Sequence, residues 1–334
     1  MKQIATTAAI LALFILVLPA TIVIFLTKNE QALMPKENAA TKVEETYDIT
    51  IPVFRAKKET VEKHPLEQYV MGVVASEMPA SFEMEALKAQ ALAARTYIVK
   101  QMLEENDIAL PDGAVVTDTA NHQVFQNEKE LMEKWQKDFH WKMARIKEAV
   151  EATSGEILTY NGEPIEASFF STSNGYTENS EDYWQSAIPY LRAVESPWDA
   201  GSPKFKNTLR IPVSEFEEKL GVTVKSDSVG EILERTKSKR VKKVSINGKI
   251  FSGREIREKL QLPSTDFTWR KAGNEIVIET KGWGHGVGMS QYGANGMAKE
   301  GKTYEEIVRY YYQNVEITTL SPFVAKLTAK SVSP

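Results

Sequence analysis

A chain of 334 residues, 42% of them hydrophobic, is long enough to bury a substantial core in one large domain or two closely joined ones. Its net charge of −4 argues against nucleic acid as a partner, since that role demands a basic face. It has no cysteine, which removes disulfides, thiolate catalysis and cysteine-ligated metals.

Residues 4–26, IATTAAILALFILVLPATIVIFL, carry no charge and are long enough to cross a bilayer as one helix. A cleaved signal peptide is the competing reading, but the run is long for one and no small-x-small site clearly ends it. The expectation is a single-pass anchor over 1–27 in the cell membrane, with the rest of the chain extracytoplasmic. Residues 28–47 are polar and charged and read as a tether. The body, 48–320, opens on the β-like YDITIPVFRA.

His64-Pro65 opens a helix running to about Ser76, which Pro79 stops. Ser81, followed by Glu83 and Glu85, starts a second helix through about Gln101. Ala86, Ala89, Ala91, Ala93 and Ala94 let other elements approach that helix closely, which makes it central. Residues 127–153 read as one further helix, closed by Gly155 at C′. EILTY and EPIEASFFS flank Asn161-Gly162, a hairpin signal. After the turn-rich SPWDAGSPKF, helices are expected at 213–220 and 228–236, a hairpin around Asn247-Gly248, and a helix at 253–260. FTWRKAGNEIVIETKG reads as strand, turn, strand, and Thr303 with Glu306 forms a capping box on a last helix. This mixed order predicts an α+β fold, with helices and antiparallel hairpins forming a groove. Residues 206–266 are a candidate subdomain or insertion and a candidate partner surface.

One residue breaks the first helix's pattern. Leu66, Tyr69, Val70, Val73 and Val74 recur at helical spacing, and the next position in phase is Glu77. Burial and the negative end of the helix both disfavour its ionisation, so its pKa is expected to rise, as a general acid near neutral pH requires. The plain alternative is a helix-end Glu facing solvent or paired with Lys88 or Arg95. Those two cations, seven residues apart on one helix face, are candidates for orienting the acid or holding a ligand.

In KGWGHGVGMSQYG, glycines alternate directly after a strand, without the spacing of a dinucleotide or phosphate loop. The pattern suggests backbone packed closely against a ligand or another chain segment. Trp283 and Tyr292 offer faces for sugars, Ser290 and Gln291 offer hydrogen bonds, and Ser290 is a candidate helix cap. FFSTSNGYTENSEDYW is a third polar, aromatic loop, but no nucleophile elbow surrounds Ser171, Thr172 or Ser173. His285 is the best base for a serine triad, a weak reading. Only His122, near Asp118, hints at a metal.

ASEMPASFEMEALKAQALAARTYIVK, FFSTSNGYTE, LRAVESPWD, REIREKLQLPSTDFTW and GWGHGVGMSQYGANGMA together resemble the stage II sporulation protein D family, membrane-anchored lytic transglycosylases of endospore-forming bacteria. The resemblance runs from about 48 to 318. It implies cleavage of the β-1,4 bond between N-acetylmuramic acid and N-acetylglucosamine in glycan strands freed of stem peptides, leaving 1,6-anhydro ends, during forespore engulfment. It implies stage II sporulation proteins P and M as partners; for this chain no cofactor is expected. It places the catalytic Glu at Glu77. Candidate substrate-binding residues are Lys88, Arg95, Ser171, Ser173, Tyr190, Trp283, His285, Ser290, Gln291 and Tyr292. Some relatives hold zinc through a Cys/His set; this chain, without cysteine, is expected to hold none, with His122 as a remnant. Two other readings stay open: a non-catalytic glycan-binding accessory to an amidase, and a muramidase using Asp182 or Glu178 as second carboxylate.

Overall fold

The computed structural model describes residues 48–104, 110–111, 113–184, 186–224 and 228–332. The expected anchor and tether lie outside the described residues, and no helix among the described ones is long and apolar enough to cross a membrane.

Strand β1 (Thr50–Arg55) pairs antiparallel with β2 (Thr60–Pro65), which runs straight into helix α1 (Leu66–Glu77). The helical stripe read from sequence is the buried face: Leu66, Tyr69, Val70, Val73 and Val74 are all buried. α1 stops because Met78, ahead of Pro79, turns extended (φ −123°, ψ 138°). α2 (Met84–Leu103) is the central helix; its alanines are buried and it packs against α1 and several later elements. It begins three residues after Ser81. Glu83 is its N-cap and makes no side-chain cap; the Glu83 N–H donates to Asn295 Oδ1 at 2.8 Å.

β3 (Val116–Thr117) adds to β1 in parallel. The single helix expected over 127–153 is two: α3 (Glu128–Trp135), capped by Asn127 and Glu130, and α4 (Phe139–Ala152). Gln136 at φ 47° breaks them, with a short 3₁₀ turn between. Both halves keep helical polarity patterns, so periodicity alone did not reveal the break. Gly155 (φ 69°) follows beyond the Thr153 C-cap rather than at C′. β4 (Glu156–Tyr160) and β5 (Glu163–Pro164) form the expected hairpin, with Asn161 (φ 53°) and Gly162 (φ 81°) in the left-handed pair of a type I′ turn.

β6 (Phe169–Phe170) and the short helix α5 (Ser180–Trp184) precede β7 (Lys206–Pro212) and α6 (Val213–Leu220). The helix expected at 228–236 is instead strand β8 (Glu231–Arg235). Too short and polar to bury a helical face, it satisfies its backbone by pairing with β9 (Val241–Ile246). β9 turns at Asn247-Gly248 into β10 (Lys249–Ser252), followed by α7 (Gly253–Leu260). β11 (Asp266–Ala272) and β12 (Glu275–Lys281) form the next hairpin, and β12 also pairs with β7. β13 (Met289–Ser290), α8 (Gln291–Lys299), α9 (Tyr304–Tyr311), β14 (Glu316–Thr319) and α10 (Val324–Val332) complete the chain, with β14 beside β4.

Two apolar clusters result. The larger surrounds α2 and draws on α1, α4, α8 and α9. The smaller gathers Ile211, Phe216, Val244, Phe251, Ile256, Phe267 and Ile278, so β7 to β12 hold a core of their own. The α+β class stands, and most strand pairs are antiparallel.

Candidate functional site

The last residue of α1 is Glu77, and three contacts build a wall opposite it. Gly72 leaves room for Phe125, since a side chain there would strike the Phe125 ring. Phe125 stacks on Tyr69, and the Tyr69 hydroxyl donates to Gln123 Oε1 at 3.2 Å. With that segment fixed, the Val124 N–H donates to Glu77 Oε1 at 2.9 Å. The Thr117 N–H donates to His122 Nδ1 at 3.3 Å, which leaves Nε2 to carry the proton of the neutral ring.

The second wall is the glycine loop. Thr172 and Trp283 exchange backbone bonds of 3.0 and 2.7 Å, and β13 pairs with β6 in parallel. Gly284 (φ 116°) faces Phe170, and a side chain on Gly288 (φ 79°) would meet the Ser168 carbonyl. The alternating glycines therefore serve close approach to another chain segment. Ser290 caps α8 by accepting from the Gly293 N–H.

Between these walls lies a cleft of 420 Å³ lined by Glu77, Tyr97, His122, Gln123, Ser171, Lys204, Trp283, His285 and Gln291, among others. Among its described lining residues Glu77 is the only carboxylate. Burial pushes the Glu77 carboxyl above its ordinary value; the Val124 hydrogen bond and the Lys204 charge offset part of that rise.

Of the residues singled out from sequence, the structure brings Glu77, Ser171, Trp283, His285 and Gln291 together. His285 is no base there. Its Nδ1 accepts from the Val287 N–H and its Nε2 sits 3.1 Å from the Phe169 carbonyl oxygen, so the ring is a neutral structural strut. Burial, with the Arg257 and Arg240 charges nearby, holds its pKa far below the ordinary value.

The others lie elsewhere. Arg95 is fully buried and forks onto Glu67 at 2.9 and 2.6 Å. Lys88 pairs with Glu85 at 2.7 Å beside the Tyr304 ring. Ser173 and Ser290 both donate to the buried Asp199, at 2.9 and 2.5 Å. The Tyr190 hydroxyl accepts from the Glu166 N–H, and Tyr292 packs edge-on against Phe82. Neither second-carboxylate candidate lines the cleft: Glu178 is buried against Thr236 and Arg240, and Asp182 faces Lys242. Asp118 is engaged by Arg55 rather than His122, and among the described residues no three metal-ligating side chains converge.

Tyr97, Gln123 and Lys204 also line the cleft with no sequence motif marking them, and His122, which the sequence offers only as a metal candidate, lines it too. Tyr97, one turn and more beyond Ala93 on the central helix, gave no signal apart from the core pattern around it. Lys204 sat in a stretch read as a turn.

The family model for stage II sporulation protein (SpoIID) matches residues 55–160, which include Glu77 and the His122–Val124 wall. Stage II sporulation protein D of Bacillus subtilis (strain 168) is 50% identical over 99% of this chain and 100% of its own length. The stage II sporulation protein D of Bacillus amyloliquefaciens is 53% identical over 84% of this chain and 82% of its own. An amidase enhancer of Bacillus subtilis (strain 168) is 30% identical over 74% of this chain, covering 40% of that protein. The chain belongs to the stage II sporulation protein D family.

Proposed function

We propose that this sporulation protein is a lytic transglycosylase. It would cleave the N-acetylmuramic acid–β-1,4–N-acetylglucosamine bond of peptide-free glycan and leave 1,6-anhydro ends, with residues 1–27 as its membrane anchor and the body extracytoplasmic. Its partners in forespore engulfment would be stage II sporulation proteins P and M. The observation that supports the reading best is the solitary carboxyl of Glu77, pushed toward its protonated form inside a cleft.

Ordinary glycosidases need two carboxyl groups, one as acid and one as base or nucleophile. One suffices when the substrate supplies the nucleophile. Glu77, held at Oε1 by the Val124 N–H, gives its proton to the glycosidic oxygen as the C1–O bond breaks. The C6 hydroxyl oxygen of the muramic sugar bonds to C1, and its proton passes to the Glu77 carboxylate, restoring the acid. Lys204 steadies the transient carboxylate. Nucleophile and electrophile share one ring, so the ring closure gains the entropic advantage of an intramolecular reaction. Glu178 and Asp182 are not among the residues lining the cleft, so they offer no second carboxylate there for a hydrolytic route.

The test is to incubate the detergent-solubilised chain with peptide-free glycan and identify product ends by mass spectrometry. Anhydro ends support the reading and reducing ends favour hydrolysis. Glu77→Gln should abolish cleavage, and turnover retained in that variant discards the assignment. A second reading, a non-catalytic accessory to an amidase, draws on the similarity to an amidase enhancer. It predicts intact glycan and a faster partner amidase.

A further inference from the structure

The described lining of the cleft holds one lysine or arginine, Lys204. Lys204 is exposed at the rim and forms no ion pair among the described residues. Its backbone is fixed: its N–H donates to Ser202 Oγ at 3.1 Å, its carbonyl accepts from Asn207 Nδ2 at 2.9 Å, and the next carbonyl, of Phe205, accepts from the Gly282 N–H at 2.8 Å. This anchoring to the glycine loop sets the Lys204 ammonium 5.3 Å from the centre of the Trp283 ring. Trp283 is 41% exposed, a broad apolar face beside a positive charge. Such a pair fits a ligand with a flat, partly apolar body and a carboxylate at its edge.

A glycan strand of the wall alternates two sugars, and both have faces that suit an indole. Only the muramic sugar carries an acid, the lactyl group on O3. That group is a carboxylate when free and a neutral amide when a peptide is attached. We propose that Lys204 and Trp283 form a subsite for N-acetylmuramic acid, in which the lysine reads the free lactyl carboxylate. Resting on the function proposed above, this assignment sets the register of the strand. With the acidic sugar seated on Trp283, its neighbour across the cut bond is fixed, and the alternate bond is held out of reach of Glu77. The same contact discriminates against strands whose lactyl group is amidated, because the ammonium then faces no charge.

The experiment uses the full chain in detergent carrying Glu77→Gln, which removes cleavage and any effect of Lys204 through the Glu77 charge. Binding is measured by calorimetry for two glycan oligosaccharides, one with free lactyl carboxylates and one with those groups capped as methylamides. The free form should bind about tenfold more tightly, as expected for a charge-assisted hydrogen bond at a partly exposed site, and the preference should shrink with added salt. Adding Lys204→Gln should bring the ratio close to one, while Lys204→Arg should keep most of it. An unchanged ratio in the Gln variant overturns the proposal, as does equal binding of the two glycans or no binding of either. Cleavage by the unsubstituted chain is scored separately. Missing anhydro ends with an intact lactyl preference would remove the proposed chemistry and leave the subsite standing.

Discussion

Replacing Arg95 by Ala should cripple folding rather than substrate recognition. The guanidinium is fully buried, and all its nitrogens are engaged. Nε and Nη2 donate to Glu67 at 2.9 and 2.6 Å, Nη2 also to the Val150 carbonyl at 3.2 Å, and Nη1 to Thr153 Oγ1 and the Glu156 carbonyl at 3.3 Å each. These contacts tie α1, α2, the end of α4 and the start of β4 together. Two bonds between charged partners at about 1.5–3 kcal/mol each, with three from the guanidinium to neutral acceptors taken at about 1 kcal/mol each, give a gross loss of roughly 6–9 kcal/mol. Glu67 keeps 33% of its side-chain surface and regains water in the variant, and the Val150 carbonyl keeps a bond from the Thr153 N–H. The net cost should therefore fall near the 3–5 kcal/mol typical of a broken buried pair. For a chain of this size that lowers Tm by on the order of 10 °C. Differential scanning calorimetry of the full chain, with glycan binding measured well below the transition, separates the two roles. A variant that melts within 2 °C of the parent but no longer binds glycan would show the reasoning to be wrong.

Glu77 makes a linked prediction about pH. Its carboxyl is raised in the folded chain, so the folded state holds the proton to higher pH than the unfolded state. Stability therefore declines as pH rises from the unfolded carboxylate range through the raised value, by about 1.4 kcal/mol per unit of difference. Glu77→Gln should thus be the more stable protein at neutral pH, with the margin closing below about pH 4; a less stable Gln variant at pH 7 contradicts burial as the cause. Two glycines separate backbone strain from close approach. Gly162→Ala, at φ 81° in open space, should cost about 1 kcal/mol in urea denaturation. Gly288→Ala, at φ 79° against the Ser168 carbonyl, should cost several times that and disturb the cleft; equal costs would mean the loop can shift freely.

Local rules were sufficient wherever one element decided its own conformation. The apolar stripe of α1, the Asn-Gly turns, the Thr303 capping box and the helix at 213–220 all follow from residue chemistry within a few positions. They failed where a distant partner decided. The strand at 231–235 exists because β9 completes its hydrogen bonds, and the break at Gln136 is a packing event that periodicity does not record.

The site divides in the same way. Glu77 was legible because a carboxylate in phase with five apolar residues contradicts the hydrophobic pattern, and a contradiction of that kind is visible in one dimension. Arg95 looked similar in sequence, and only the fold shows that Glu67 and the end of α4 consume its charge. Lys204 gave no local sign, because its meaning comes from Trp283 and Glu77, 79 and 127 residues away in the numbering. The sequence by itself determined which carboxyl is unusual and which glycines must lie against something. The tertiary structure decided what faces them, since burial, pairing and cleft lining depend on segments that meet only after folding.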